Sequence, residues 1–166
     1  MMIEAITLKM IQHSQGNRHD IQHFLKVWAY ARTIGLAEKL NDEKQKILEI
    51  AALCHDIACP FCRQKDGRAL GEDQEREGAK MIPAFLAEFD LTPGEIERIA
   101  YLVGHHHHPA SIDDLDYQIL IEADYLVNAD EAGYELNAIV AFGKQFFRTT
   151  TGKQILKEMY FKEGAQ

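Results

Sequence analysis

Four places in the chain supply side chains that can ligate a metal ion: His23, the adjacent pair His55-Asp56, the cluster His105-His106, and Asp124. Each lies within or beside an apolar stretch, where an imidazole or a carboxylate is costly unless it is paired or bound. Asp124, for example, sits among Ile121, Ala123, Tyr125, Leu126 and Val127. A lone aspartate there would cap or satisfy neighbouring backbone; its coincidence with three other ligand-type places argues for a shared cation. Neighbours on a helix project about 100° apart, so His55 and Asp56 reach one ion only near a helix end. Ala58-Cys59-Pro60 places such an end just beyond them.

A second chemistry competes in the same stretch. Cys59-Pro60-Phe61-Cys62 has the spacing of a redox dithiol or of half a zinc site. A glutaredoxin-like dithiol sits between a strand and a helix, whereas this one follows a helical pattern. A structural zinc site would need a second ligand pair, and Cys54 lies on the wrong side of His55-Asp56 to provide it. Cys54 reads as a small core residue. Cys59 and Cys62 read as loop residues beside the site, without a redox role.

The elements that must position these groups are helical. Ile21, Phe24, Leu25, Trp28 and Ala31 recur at helical spacing in a first long helix over 20–40. Asp42 is expected to cap a helix over 43–58 with Ile47, Ile50, Ala51 and Cys54 on its core face. Residues 59–72, with one Pro and two Gly, are expected to form a loop. A helix then runs to about Phe89, tolerating or kinking at Pro83. Thr92-Pro93-Gly94-Glu95 combines an N-cap, a first-turn proline and a glutamate three residues after the cap. The helix it starts carries Ile96, Ile99, Leu102 and Val103 into the histidine run, and Pro109 stops it. Further helices are expected over 113–129 and 131–162. No alternating polar–apolar stretch is present, so the fold class is all-α, a bundle of about six to eight helices.

The 166 residues, 46% hydrophobic and 27% charged, suit one soluble domain with a sizeable core. No repeat or linker divides them, so residues 1–166 are read as a single domain: a core over 19–130 and C-terminal helices over 131–162 packing on it. The N-terminus lacks signal-peptide features and no apolar run is long enough to span a membrane, so a cytoplasmic location is expected. The net charge of −8 disfavours a nucleic-acid partner but admits a small phosphorylated molecule in a locally basic cleft. Three cysteines within nine residues cannot form a disulfide framework and fit a reducing compartment.

The order His23, His55-Asp56, Asp124, all on helices, resembles the HD-domain superfamily of metal-dependent phosphohydrolases. "HFLKVWAYARTIGLAE" is similar to its first helix and "ILEIAALCHDIA" to the second, which delivers His-Asp after an Ala/Leu-rich run. "IAYLVGHH" and "ILIEADYLVNA" resemble its later histidine helix and its terminal aspartate helix. The resemblance implies a metal bound by His23, His55, Asp56 and Asp124, with His105, His106 and His19 as further ligands in reserve. Imidazole plus carboxylate suits Mn, Fe, Co, Ni or Zn, and Mg more weakly. Such a metal acidifies a bound water and neutralises charge on a phosphoryl group. The implied activity is hydrolysis of a phosphate ester of a nucleotide or similar small molecule.

Two-metal members of the superfamily carry a further histidine before a Gly-Ala pair; here Gln74, followed by Glu75, precedes Gly78-Ala79. One metal per chain is therefore favoured over two, and Glu75 becomes a candidate to orient water or take a proton. Asp56, Glu75, His105 and His106 form the candidate catalytic set. Arg63, Lys65 and Arg68 are candidates to hold phosphate oxygens, and Lys144, Arg148 and Lys153 offer the same chemistry late in the chain. His19-Asp20 looks like a second His-Asp pair but stands at a helix start, where Asn17 or Asp20 caps. His13, His107 and His108 are expected in solvent. Two other functions compete: an HD-type diiron oxygenase, which wants the fuller histidine set, and a non-catalytic binding or regulatory module, which would be free to lose these ligands. The sequence leaves a homodimer open.

Overall fold

The computed structural model describes residues 2–68 and 71–161. The described residues form helices and no strands: α1 Met2–His13, α2 Arg18–Ala37, α3 Asp42–Cys54, α4 Cys59–Asp66, α5 Gly71–Leu86, α6 Pro93–Val103, α7 Leu115–Glu131, α8 Leu136–Phe146 and α9 Thr150–Tyr160. A short 3₁₀ turn, Pro109–Ser111, lies between α6 and α7. The all-α expectation is met; residue 162, the expected end of the last helix, lies outside the described residues.

Two helices form the centre. In α3 every residue from Ile47 to Cys54 is buried, and α7 is buried over almost all of Asp116–Ala129. Helices apolar on all sides need neighbours on all sides. α2, α6 and α1 pack on α3, while α2 and α9 pack on α7. Phe24, Val27, Ala31 and Ile34 of α2, with Ile99, Leu102 and Val103 of α6, close the core. The ligand-type residues therefore sit at the ends or on the inner faces of the best-buried helices, where backbone displacement is most restricted.

Several starts differ from expectation for local reasons. Asn41, not Asp42, caps α3: its side chain accepts from the Lys44 N–H at 2.8 Å, and Asp42 falls in the first turn. The expected loop over 59–72 contains α4. Its Pro60 pre-sets a first turn, and Gly67, at φ 71°, takes the left-handed position that ends it. The residues read as breakers are the start and stop of one short helix. Thr92 and Glu95 make the expected capping box on α6. α5 runs through Pro83, which is exposed, to Leu86.

The N-terminal segment, given no element by periodicity, forms α1, with Ile6 and Met10 buried one turn apart. His13 at its end is half-buried and donates from Nε2 to the Ile57 carbonyl at 2.7 Å, against the expectation that it is solvated. Its ring meets Phe85 edge-on. α1 thus braces the turn that follows His55-Asp56.

α5 approaches the same turn closely because residue 78 has no side chain. A Cβ there would come within 2.9 Å of Val103 Cγ1 and 3.5 Å of Ile57 Cγ2. Gly78→Val is expected to lower unfolding free energy by about 1–3 kcal/mol through overpacking, read from urea denaturation. An unchanged midpoint would mean that α5 can move away freely.

Candidate metal centre

α3 ends at Cys54, and residues 55–58 form a tight turn closed by Ile57 N–H to the Cys54 carbonyl at 2.9 Å and Cys59 N–H to the Asp56 carbonyl at 3.0 Å. This break lets two sequence neighbours face one point. His55 Nδ1 donates to the Ala52 carbonyl at 2.8 Å, which turns Nε2 inward. His23 on α2 donates from Nδ1 to Glu131 Oε2 at 2.8 Å and also presents Nε2. The two Nε2 atoms lie 3.1 Å apart. Asp56 Oδ2 is 3.5 Å from each, and Asp124 Oδ1, from α7, is 3.3 Å from His23 and 3.4 Å from His55.

Protons decide what such a cluster needs. Each imidazole already uses its Nδ1 hydrogen, so in the neutral form two Nε2 lone pairs face one another beside two carboxylate oxygens. Only a positive centre makes that arrangement favourable. Asp124 Oδ1 is buried with no hydrogen-bond donor, as is Nε2 of His106. Ligand atoms held at about 2.0–2.2 Å from one first-row metal stand about 3–3.5 Å apart, so the observed separations fit. The donor set fits as well: neutral imidazoles backed by a carboxylate and a carbonyl, with carboxylates completing the site. His23, His55 and Asp56 have ligand atoms close enough to hold one ion.

Without a metal, a proton fills part of this role. Burial pushes His23 down, but Asp124, Asp56 and Glu131 outweigh it and raise its pKa to about 9. Burial likewise opposes ionisation of Asp56 and Asp124, yet the surrounding histidines hold both below the usual carboxylate range.

The histidine run divides sharply. His106 is fully buried, donates from Nδ1 to the Val103 carbonyl at 2.8 Å, and aims Nε2 at Asp56 Oδ1, 3.5 Å away. His105 turns away: its Nδ1 donates to the Tyr101 carbonyl at 2.7 Å and its ring stacks on Tyr101. His107 and His108 are exposed as expected but not free, because buried Glu75 accepts from the His107 backbone N–H at 2.8 Å and lies 3.1 Å from His108 Nε2. Glu75 holds the histidine turn in place and forms, with His106 and His107, a second group of ligand-type atoms. Gln74 donates its amide to Asp56 Oδ1, filling the side of Asp56 that faces His106.

The remaining candidates lie further out. His19 is largely exposed and sits 3.5 Å from Glu131, outside the cluster. Arg63 pairs with Asp20, while Lys65 and Arg68 are exposed. None of the three lines the hollow that opens onto the cluster, which has a volume of about 330 Å³ and includes His106 and Asp124 in its wall. Lys144 and Lys153 flank a separate apolar hollow, and the Arg148 guanidinium is spent on the Phe147 and Gln145 carbonyls. Cys59 and Cys62 are buried on α4, not exposed on a loop. Burial, and for Cys59 the nearby Asp56, pushes both thiols up, which removes the thiolate a redox role requires.

Glu131 was not singled out in the sequence. Its spacing held the signal: it lies seven residues after Asp124, two turns along the same face of α7.

A family model described as HD domain matches residues 20–129. The chain belongs to the HD-domain family, whose superfamily comprises metal-dependent hydrolases. No curated protein and no solved structure matches the chain significantly.

Because Glu131 fixes the His23 tautomer, Glu131→Ala is expected to weaken Mn²⁺ binding about 10–100-fold in calorimetry while leaving the helical spectrum unchanged. Equal affinity would remove it from the site. The raised pKa of His23 sets a pH dependence. Below about 9 its Nε2 carries a proton that a metal must displace, so apparent Mn²⁺ affinity should rise with pH up to that value. Affinity that is flat from pH 6 to 9 would contradict this.

Proposed function

We propose that the protein hydrolyses a phosphate ester of a nucleotide or similar small molecule, using one divalent transition metal held by His23, His55, Asp56 and Asp124. The observation that supports this most is the 3.1 Å approach of two imidazole lone pairs beside two carboxylates, one of which, Asp124, also lines an open hollow. When bound there, Mn, Fe, Co, Ni or Zn would acidify a water and neutralise charge on the phosphoryl group.

The chain's own groups supply the rest. Burial lowers the pKa of His106, but the hydrogen bond and charge of Asp56 outweigh it and raise it. His106, which lines the hollow, therefore enters the reaction carrying a proton on Nε2 that faces Asp56 Oδ1. As the water oxygen forms its bond to phosphorus, the ester P–O bond breaks and the leaving oxygen takes that proton. The proton lost by the water passes to solvent, which recharges His106. Glu75 acts through the turn it holds and positions His106. His105, directed at Tyr101, has no part in the step.

Gln74 supports one metal over two. A neutral amide binds a divalent transition metal weakly, and Gln74 already donates to Asp56 Oδ1, the oxygen that faces His106. The oxygenase reading, which requires two irons, loses ground on the same contact.

Purified protein assayed with Mn, Co, Ni, Mg and Fe against small phosphate esters should hydrolyse at least one, and Asp56→Ala should lose both metal and turnover with helical content retained. Full metal occupancy in that variant would sink the assignment. Cys59→Ser with Cys62→Ser should leave turnover within about threefold, roughly 0.6 kcal/mol in barrier. A loss of several hundredfold would restore the dithiol. Gln74→His should raise metal content from about one towards two per chain by elemental analysis, whereas two ions retained by the natural protein would refute the mononuclear site.

A further inference from the structure

The hollow beside the cluster has a composition that the metal centre does not require. Its floor is Asp124 and His106, and its wall is aromatic, formed by Tyr125, Phe142 and Tyr134. Tyr125 and Phe142 lie nearly parallel with ring centroids 3.7 Å apart, and Tyr134 stands 5.8 Å from Tyr125 at the rim, 43% exposed. Asn128, one turn after Asp124 on α7, faces the same space, and its side-chain amide has no hydrogen-bond partner among the described residues. His106 lines the hollow while its buried Nε2 faces Asp56 Oδ1, 3.5 Å away.

An aromatic wall with one unused amide suits a flat, π-rich group with hydrogen-bonding edges. Among the described residues no lysine or arginine lines the hollow, and the groups there able to carry positive charge are His106 and His107. The carboxylate of Glu75 lies behind them, and the nearby cations Lys26 and Arg63 are paired with Glu131 and Asp20. A phosphate at the metal centre would be neutralised there, but the further charges of a di- or triphosphate would enter the hollow without partners.

We infer that the substrate is a nucleoside monophosphate, its base packed on Tyr125, Phe142 and Tyr134 with its edge read by Asn128. This inference rests on the proposed phosphohydrolase activity and narrows it. The ester bond cleaved is the one between the sugar oxygen and phosphorus; water supplies the new phosphate oxygen and, through solvent, the proton with which the nucleoside leaves.

The test compares kcat/KM of the Mn²⁺-loaded protein for adenosine monophosphate, adenosine triphosphate and glycerol phosphate. The monophosphate should exceed each of the others by more than about tenfold. In Tyr125→Ala the preference over glycerol phosphate should collapse to within about threefold, chiefly through KM. If that variant fails to fold, Asn128→Leu carries the same comparison. Saturation-transfer NMR with free adenosine gives a readout independent of turnover: transfer to the natural protein that is lost in the variant supports the pocket. Equal rates on glycerol phosphate, a preference for the triphosphate, or no transfer to the natural protein would each overturn it. If no ester of any kind is cleaved, the phosphohydrolase reading fails, and the adenosine transfer still decides whether the hollow holds a base.

Discussion

The structure is organised around an electrostatic requirement: two imidazole lone pairs and two carboxylates converge on one point inside a helical core. In the absence of a positive centre such a cluster would drive its members apart. Burial sharpens the requirement, because Asp124 Oδ1 and His106 Nε2 are both shut off from the surface. The elevated pKa of His23 and the depressed pKa of Asp56 and Asp124 are two faces of this one demand for positive charge.

Holding such a cluster takes support from every side. Each histidine is pinned by its second nitrogen, to Glu131, to the Ala52 carbonyl or to the Val103 carbonyl, so that the ring cannot turn its lone pair away. The turn after α3 is braced by His13 from α1 and by the close approach of α5 at Gly78. Glu75 fixes the loop that carries His106. In the middle of α7, buried Glu122 accepts from the backbone of Arg148 and Thr149 and from Gln118, joining the last two helices to the helix that carries Asp124. The apolar core and these polar clamps together restrict the donor atoms to a small volume.

Much of this was legible in the sequence, for identifiable reasons. Helical periodicity marks α2, α3, α5, α6 and α7 because each buries an apolar face, and Thr92-Pro93-Gly94-Glu95 marks a boundary because each residue meets a specific backbone need. The convergence of His23, His55, Asp56 and Asp124 was expected from type, order and resemblance. Other features depend on tertiary contacts that local pattern cannot encode. α1 is short and earns its place through Ile6 and Met10 docking on α3. α4 was hidden because Pro60 and Gly67 start and stop a helix with the same residues that fill loops. His105 and His106 are adjacent and identical in type, so only the path of the chain after α6 decides which enters the site. Arg63, a plausible phosphate ligand by charge alone, is engaged by Asp20 from another helix.

The central claim is that one metal ion occupies the point shared by His23, His55, Asp56 and Asp124. Anomalous diffraction at the manganese edge from crystals of the natural protein grown with Mn²⁺ tests it most directly. The account predicts one strong peak within about 2.0–2.3 Å of His23 Nε2, His55 Nε2 and a carboxylate oxygen from each aspartate. A peak confined to Glu75, His106 and His107, or no peak at saturating Mn²⁺, would contradict it.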